Sequence, residues 1–264
     1  MRTLTVLALT LIASAVSAQT PSVFIEDLTW PEIRDAQAAG KTSAIIYAGG
    51  TEQNGPHMAL IKHNLIARHV AGRAAERLGN ALVFPILPFS PAGNALEKTG
   101  HMRFPGTITL SSEVYLGVMR QVAESAAAGG FKNIFLMGDH GIGQAEIRLA
   151  AESLDGEWRA RGVRVYYVPD VFQKASQQMN AYLSERKIRG GGHAGVTETA
   201  QVRFLDPDGR WIRSEKMSVS AAGPEPETGV GGDPSPATVE MGRVFIDYKI
   251  AAVVDQVHAL LAGE

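Results

Sequence analysis

Four short stretches of this 264-residue chain carry most of the side chains that could bind a cation or move a proton. In the first, Glu52, Asn54, His57 and His63 fall within a dozen residues. They follow the apolar, β-branched run Ser43–Tyr47, which Gly49 and Gly50 break. The second is Gly100–Thr107, with His101; the third is Gly138–Gly143, with Asp139 and His140 between glycines; the fourth is Gly190–Thr199, with His193 and Glu198. Imidazoles and carboxylates in loops at the carboxyl ends of strands sit where open α/β sheets build their sites. The bland alternative is a set of solvated turns holding satisfied histidines. The glycines of the third stretch invite a nucleotide-binding reading, but an acidic residue at the tip of that turn would repel a pyrophosphate. Metal or substrate binding suits His140 better.

The elements that must position these residues can be read from pattern. Thr29-Trp30-Pro31-Glu32 has the spacing of a capping box and predicts a short helix to about Ala39. Strands are expected at 43–48, 81–84, 133–137 and 163–168, each a short apolar run closed by glycine, proline or a polar turn. Helices are expected from Leu65 to Leu78, from Ser111 or Ser112 to Ala128, from the third stretch to about Arg161, from Val171 to Lys187, and from Val239 to Leu261. His193 and Glu198 fall at the start of a further helix, where a carboxylate or oxyanion is favoured. His69 and His258 lie within helices and read as packing or surface residues. Residues 86–107 and 206–238 are long irregular segments rich in Pro and Gly, of the kind usually tied to function. Strands alternating with helices predict an α/β fold, a mostly parallel sheet flanked by helices on both faces.

Met1-Arg2, an apolar run from Leu4 to Ala15 and then Val16-Ser17-Ala18 read as a secretory signal, cut between Ala18 and Gln19. The apolar centre is shorter than the roughly 20 residues a membrane span needs. The expected mature chain is one domain over 19–264, exported to the periplasm or secreted, with no membrane span. A formal charge of −2 without a basic patch argues against a nucleic-acid partner. The chain has no cysteine, so it can form no disulfide, and any metal must be held by His and carboxylates.

Taken together, Gly50-Thr-Glu52-Gln53-Asn54-Gly55-Pro56-His57, Phe104-Pro105-Gly106-Thr107, Gly138-Asp139-His140-Gly141 and His193-Ala194-Gly195-Val196-Thr197-Glu198-Thr199 resemble the creatininase (creatinine amidohydrolase) family, in order and in spacing. The resemblance implies a three-layer α/β fold, often assembled into homo-oligomers such as hexamers. It also implies a divalent-metal site that hydrolyses C–N bonds in small cyclic or linear amides. Five departures stand out. Asn54 replaces a metal-binding His of the family pattern, and His63 replaces an Asp that bridges two metals. Ile142 stands where creatinine hydrolases have a carboxylate, and Val196 and Gly192 replace acidic residues that relatives carry.

A carboxylate can bridge two cations and offset their repulsion, whereas a neutral imidazole offers one lone pair to one metal. The expectation is therefore one tightly bound ion, with Glu52, His63 and His140 as core ligands and Glu198 as a fourth ligand or base. Two His plus carboxylate suits zinc best, with manganese or iron as alternatives. Such an ion brings the pKa of bound water from 15.7 to about 7, supplying hydroxide near neutral pH. His193 is expected to protonate the departing nitrogen, and backbone N–H groups around Gly138–Gly143 to stabilise the oxyanion. Asn54, His57, His101 and Asp139 are expected around the ligands or against the substrate. The rival reading is an exported small-molecule-binding protein that kept the fold and lost catalysis.

Overall fold

The computed structural model describes residues 22–190, 192–222 and 225–263; the expected signal segment and its cut lie outside them. In chain order the elements are α1 (Trp30–Ala38), β1 (Ser43–Ala48), α2 (Lys62–Leu78), β2 (Ala81–Val83), α3 (Ser112–Ala128), β3 (Asn133–Gly138) and α4 (Gln144–Trp158). Then come β4 (Arg164–Tyr167), α5 (Gln173–Glu185), α6 (Val196–Leu205), the short α7 (Met217–Ala222) and α8 (Glu225–Thr228), and α9 (Val239–Ala262). No helix among the described residues is long and apolar enough to cross a membrane.

The capping box forms as its spacing requires, with the Thr29 N–H donating to Glu32 Oε2 at 2.7 Å and the Thr29 hydroxyl at 2.6 Å. Ser111 caps α3 by accepting from the Val114 N–H at 3.2 Å. The helix expected to run to Arg161 ends at Trp158 and passes into a 3-10 turn, Arg159–Arg161, before left-handed Gly162. At its other end, α2 starts three residues ahead of the apolar periodicity. Its first two residues, Lys62 and His63, are polar yet buried, because both have charged partners inside the protein.

The four strands form one parallel sheet in the order β2-β1-β3-β4. Alternate residues of β1 feed two cores. Ala44, Ile46 and Ala48 pack with α3 and α4 on one face, and Ile45 and Tyr47 with α2, α6 and α9 on the other. All six β1 residues are buried, and full burial of an isoleucine such as Ile45 or Ile46 contributes roughly 2 kcal/mol. From β1 the chain crosses through α2 to β2 on one side, and from there through α3 to β3 on the other. The order therefore reverses between β1 and β3, whose last residues, Ala48 and Gly138, are paired. Open α/β sheets bind ligands in the crevice at such a reversal, and the Glu52 loop and the Asp139–His140 turn leave the sheet there side by side.

His57 ties three segments together on the far side of the Glu52 loop. It is fully buried, its Nε2–H donates to Thr199 Oγ1 in α6 at 2.9 Å, and its Nδ1 accepts from Ser220 Oγ in α7 at 2.9 Å. Burial, with the Lys62 and Arg203 cations, pushes this imidazole down from 6.5 to about 4. The unfolded chain thus binds a proton near pH 6.5 that the folded chain refuses until about pH 4, so this group costs stability as pH falls through that window. The contribution reaches about 3 kcal/mol at its acid end. Urea unfolding of His57→Gln should show lower stability than wild type at pH 7.5, and a shallower further loss between pH 6.5 and 4. Parallel losses in the two proteins would mean that His57 is not the titrating group.

Candidate active site

Glu52 is the buried centre of the site, and the loop that carries it is braced on every side. Gly49 is required by close approach: a Cβ there would lie 2.2 Å from Asn64 Oδ1, which instead accepts the Gly50 N–H at 2.9 Å. Asn54 donates its amide to the carbonyls of Glu52 at 3.0 Å and Ala59 at 2.9 Å. The Phe104–Thr107 stretch contributes the Thr107 hydroxyl, which accepts the Gln53 N–H at 3.0 Å. Across the sheet reversal, the Gln144 side chain donates to the carbonyls of Gly138 at 3.0 Å and His140 at 2.7 Å and so holds the third motif's turn.

Around the Glu52 carboxylate the structure brings together residues from all four sequence stretches. Oε1 contacts His63 Nε2 at 2.8 Å, and Oε2 contacts His140 Nε2. These three buried side chains each place a donor atom within 4.8 Å of the others, which is the carboxylate-plus-two-imidazole set that divalent ions bind. A second group with the same spacing consists of Glu52, His101 and His193. Glu198 belongs to neither. Expected as a ligand or base, it accepts at Oε2 from the Ala194 N–H at 2.6 Å and from Lys62 Nζ, also at 2.6 Å. Ala194 adopts a left-handed φ of 54° to make that contact.

The orientation of each ring follows from what its other nitrogen meets. His63 Nδ1 faces Asp139 Oδ2 at 2.7 Å, so Nδ1 carries hydrogen and Nε2 is directed at the cation position. Asp139 is held in turn by Lys249 Nζ at 2.6 Å and by the Tyr47 hydroxyl at 3.1 Å. His140 Nδ1 lies 3.2 Å from the Ile142 carbonyl and 3.1 Å from the Ile142 N–H; the carbonyl contact is the one that would hold the ring with Nε2 as a metal ligand. His193 Nε2–H donates to the Gln53 carbonyl at 2.7 Å, which turns the Nδ1 lone pair toward Glu52.

Charge reinforces this geometry. Burial alone would raise the Glu52 carboxyl, but Lys62, His63 and the hydrogen bond from His140 outweigh it and hold the group far below the usual carboxylate range. Asp139 is likewise raised by burial and brought well below that range by Lys249 and His63. Burial also raises Glu198, yet Lys62 above all brings it down to about 2. In His63, burial and Lys62 press downward, and Glu52 and Asp139 overcome them, so its pKa lies above the ordinary value. Burial and Lys62 push His193 down to about 3, so it is a neutral proton acceptor near pH 7.

Beside Glu52, His63, His140, His193 and Glu198 lies a cavity of about 350 Å³, with Ile142, Phe172 and Met179 as its apolar wall and Ser176, Asn180 and Thr197 as polar points. His101 also faces it, whereas Asn54 and His57 do not line it. The Asp139 N–H, expected among oxyanion donors, is taken by the Ala48 carbonyl at 2.9 Å. Lys62 and Lys249 are the functional residues that sequence reasoning missed. The signal was present, since Lys62 shares a four-residue spacing with buried Ile66, Val70 and Ala74, and Lys249 lies among buried Phe245, Ile246, Ile250 and Val253.

The creatininase (creatinine amidohydrolase) family pattern matches residues 26–257. The chain is 34% identical over 192 residues to a creatinine amidohydrolase of Pseudomonas putida, covering 71% of this chain and 73% of that protein. It is 30% identical over 232 residues to a mycofactocin precursor peptide peptidase of Mycobacterium tuberculosis, covering 81% and 82%. Among solved structures, a creatinine amidohydrolase superposes with a TM-score of 0.75 at 25% identity, over 90% of this chain and 97% of the other. A zinc–zinc form of a mutant creatininase does so at 0.74 and 25%, over 91% and 98%. With its fold, its motif order and these matches in agreement, the chain belongs to the creatininase family.

Proposed function

We propose that this protein is a metal-dependent hydrolase of the C–N bond in a small cyclic or linear amide, acting after export from the cytoplasm. The observation that carries the reading is the convergence of Glu52, His63 and His140 on one point at the edge of the cavity, with Asp139 behind His63. The donor set fits a divalent ion by its chemistry: two imidazoles and a carboxylate, one imidazole oriented by a buried acid. The proton between His63 and Glu52 is the one such an ion would displace. When bound, the ion supplies Lewis acidity, activating water and polarising the carbonyl.

The rest of the reaction belongs to this chain's own residues. The cavity limits the substrate to a small molecule or a short chain end, and Ile142, Phe172 and Met179 exclude water from one side of it. His193 Nδ1, neutral and turned toward Glu52, takes a proton from the attacking water and returns it to the departing nitrogen. The Gln53 carbonyl holds the opposite ring nitrogen and keeps the ring in that orientation.

Purified protein should contain divalent metal, and the metal-loaded form should release amine or ammonia in a screen of small amides and lactams. Protein that binds no metal, or binds it without turnover of any amide, would overturn the reading. Asp139→Asn should weaken metal affinity about 10–100-fold, because the carboxylate that orients His63 is gone; chelator competition reads this directly. His193→Ala should lower turnover by about 10²–10⁴-fold and leave metal content intact. Equal loss of metal and turnover would make His193 a ligand instead.

A further inference from the structure

The two donor groups that share Glu52 are not equivalent. In the first, His63 Nε2 and His140 Nε2 both point at Glu52, across protons that a cation at that point would displace. In the second, His101 presents a hydrogen, and the His193 lone pair faces an ammonium. The Gln53 amide is fixed end for end, because its Oε1 accepts the Gly55 N–H at 2.9 Å and its Nε2 donates to the Gly229 carbonyl at 2.9 Å. The same Nε2 donates to His101 Nδ1 at 3.0 Å, so His101 carries its hydrogen on Nε2 and presents N–H, not a lone pair, to Glu52. His193 offers its Nδ1 lone pair, but Lys62 Nζ lies 3.5 Å from it. The same ammonium contacts Glu52 Oε1 at 3.2 Å and Glu198 Oε2 at 2.6 Å, and its side chain is fully buried. Three ammonium hydrogens thus face three acceptors, and a buried charge is retained only where it is paired in this way.

We propose that Lys62 is the second cation of this centre: its ammonium supplies, between Glu52, Glu198 and His193, the positive charge that a second metal ion would bring, so the site takes one divalent ion and not two. This rests on the metal reading of Glu52, His63 and His140. Lys62 does not line the cavity, and it acts by holding Glu52 and Glu198 in place behind the reacting atoms. It is a positioning residue. The relative solved as a zinc–zinc form is the natural comparison, because the fold is shared and the ion count is predicted to differ.

The test is a count of bound metal on the full chain, stripped with chelator, reloaded with excess zinc alone or manganese alone, and freed of excess before elemental analysis. Wild type should hold one equivalent per chain. Lys62→Arg should also hold one. Lys62→Met removes the charge and should rise to two equivalents, and Lys62→Gln provides the same test with a polar side chain if the methionine variant does not fold. Two equivalents in wild type, or one in a folded neutral variant, would overturn the role of Lys62 and leave the hydrolase reading standing. No metal in wild type would overturn both, so the two failures are told apart.

Discussion

A single buried carboxylate organises this molecule. Glu52 accepts from His63, His140 and Lys62 with almost no exposure to water, and a carboxylate so placed would be very costly without those partners. These partners arrive from separate parts of the chain. His63 and Lys62 come on the first turn of α2, and His140 on the turn after β3. His101 and His193, close to the same carboxylate, come from the long irregular segment and from the approach to α6. Satisfying Glu52 therefore requires the sheet order, the crossovers and the long loops to be correct together. Removing one partner leaves a charge with no water to turn to, which explains why the surrounding backbone is tied down through Asn54, Asn64, Thr107 and Gln53.

A second buried pair stands one layer behind the first. Asp139 meets Lys249 and the Tyr47 hydroxyl on one side and His63 on the other. Burial, with the Asp139 charge, keeps the Tyr47 phenol protonated, so it serves as a donor. This links the α2 histidine, through the turn after β3, to α9 and to the carboxyl-terminal half of β1, so the orientation of one ring depends on two elements that do not line the cavity. Buried ionic networks of this kind do little for stability compared with apolar packing of equal volume. Their presence here is explained by what they do to an imidazole nitrogen.

The architecture was legible in the sequence because it rests on local pattern. The strands announced themselves as short apolar runs closed by glycine or proline, and the helices as apolar stripes with Ser, Thr or Gly at their ends. Among the boundaries that escaped, the start of α2 did so for a functional reason. Lys62 and His63 break the apolar stripe, so a rule that reads polar as exposed places the helix start three residues late. The histidines and acids were visible as types in glycine-rich loops. Their partners were not, because the pairing of Lys62 with Glu198, 136 residues away, has no signature in periodicity. His57 shows the opposite case: it lies within a motif beside ligand candidates, yet its two nitrogens are spent on Thr199 and Ser220. Sequence proximity to a site does not distinguish a side chain facing the cavity from one facing away, whereas the two faces of a loop differ completely in what they contact.

The departures from the family pattern also fit together as one change in charge rather than as separate losses. At the cavity, Glu52 and Glu198 bring two negative charges and Lys62 returns one positive, while Asp139 is balanced by Lys249. One divalent ion would leave the centre at about +1, a value that a hydroxide or a developing oxyanion would neutralise. Two ions would leave it near +3 in a poorly solvated pocket, where repulsion between like charges is strongest. Asn54, His63 and Ile142 each stand where the resemblance implies a ligand or a negative charge that a two-ion centre would use, and Lys62 holds a positive charge between Glu52 and Glu198. All four residues weigh in the same direction, toward a centre suited to one ion rather than two.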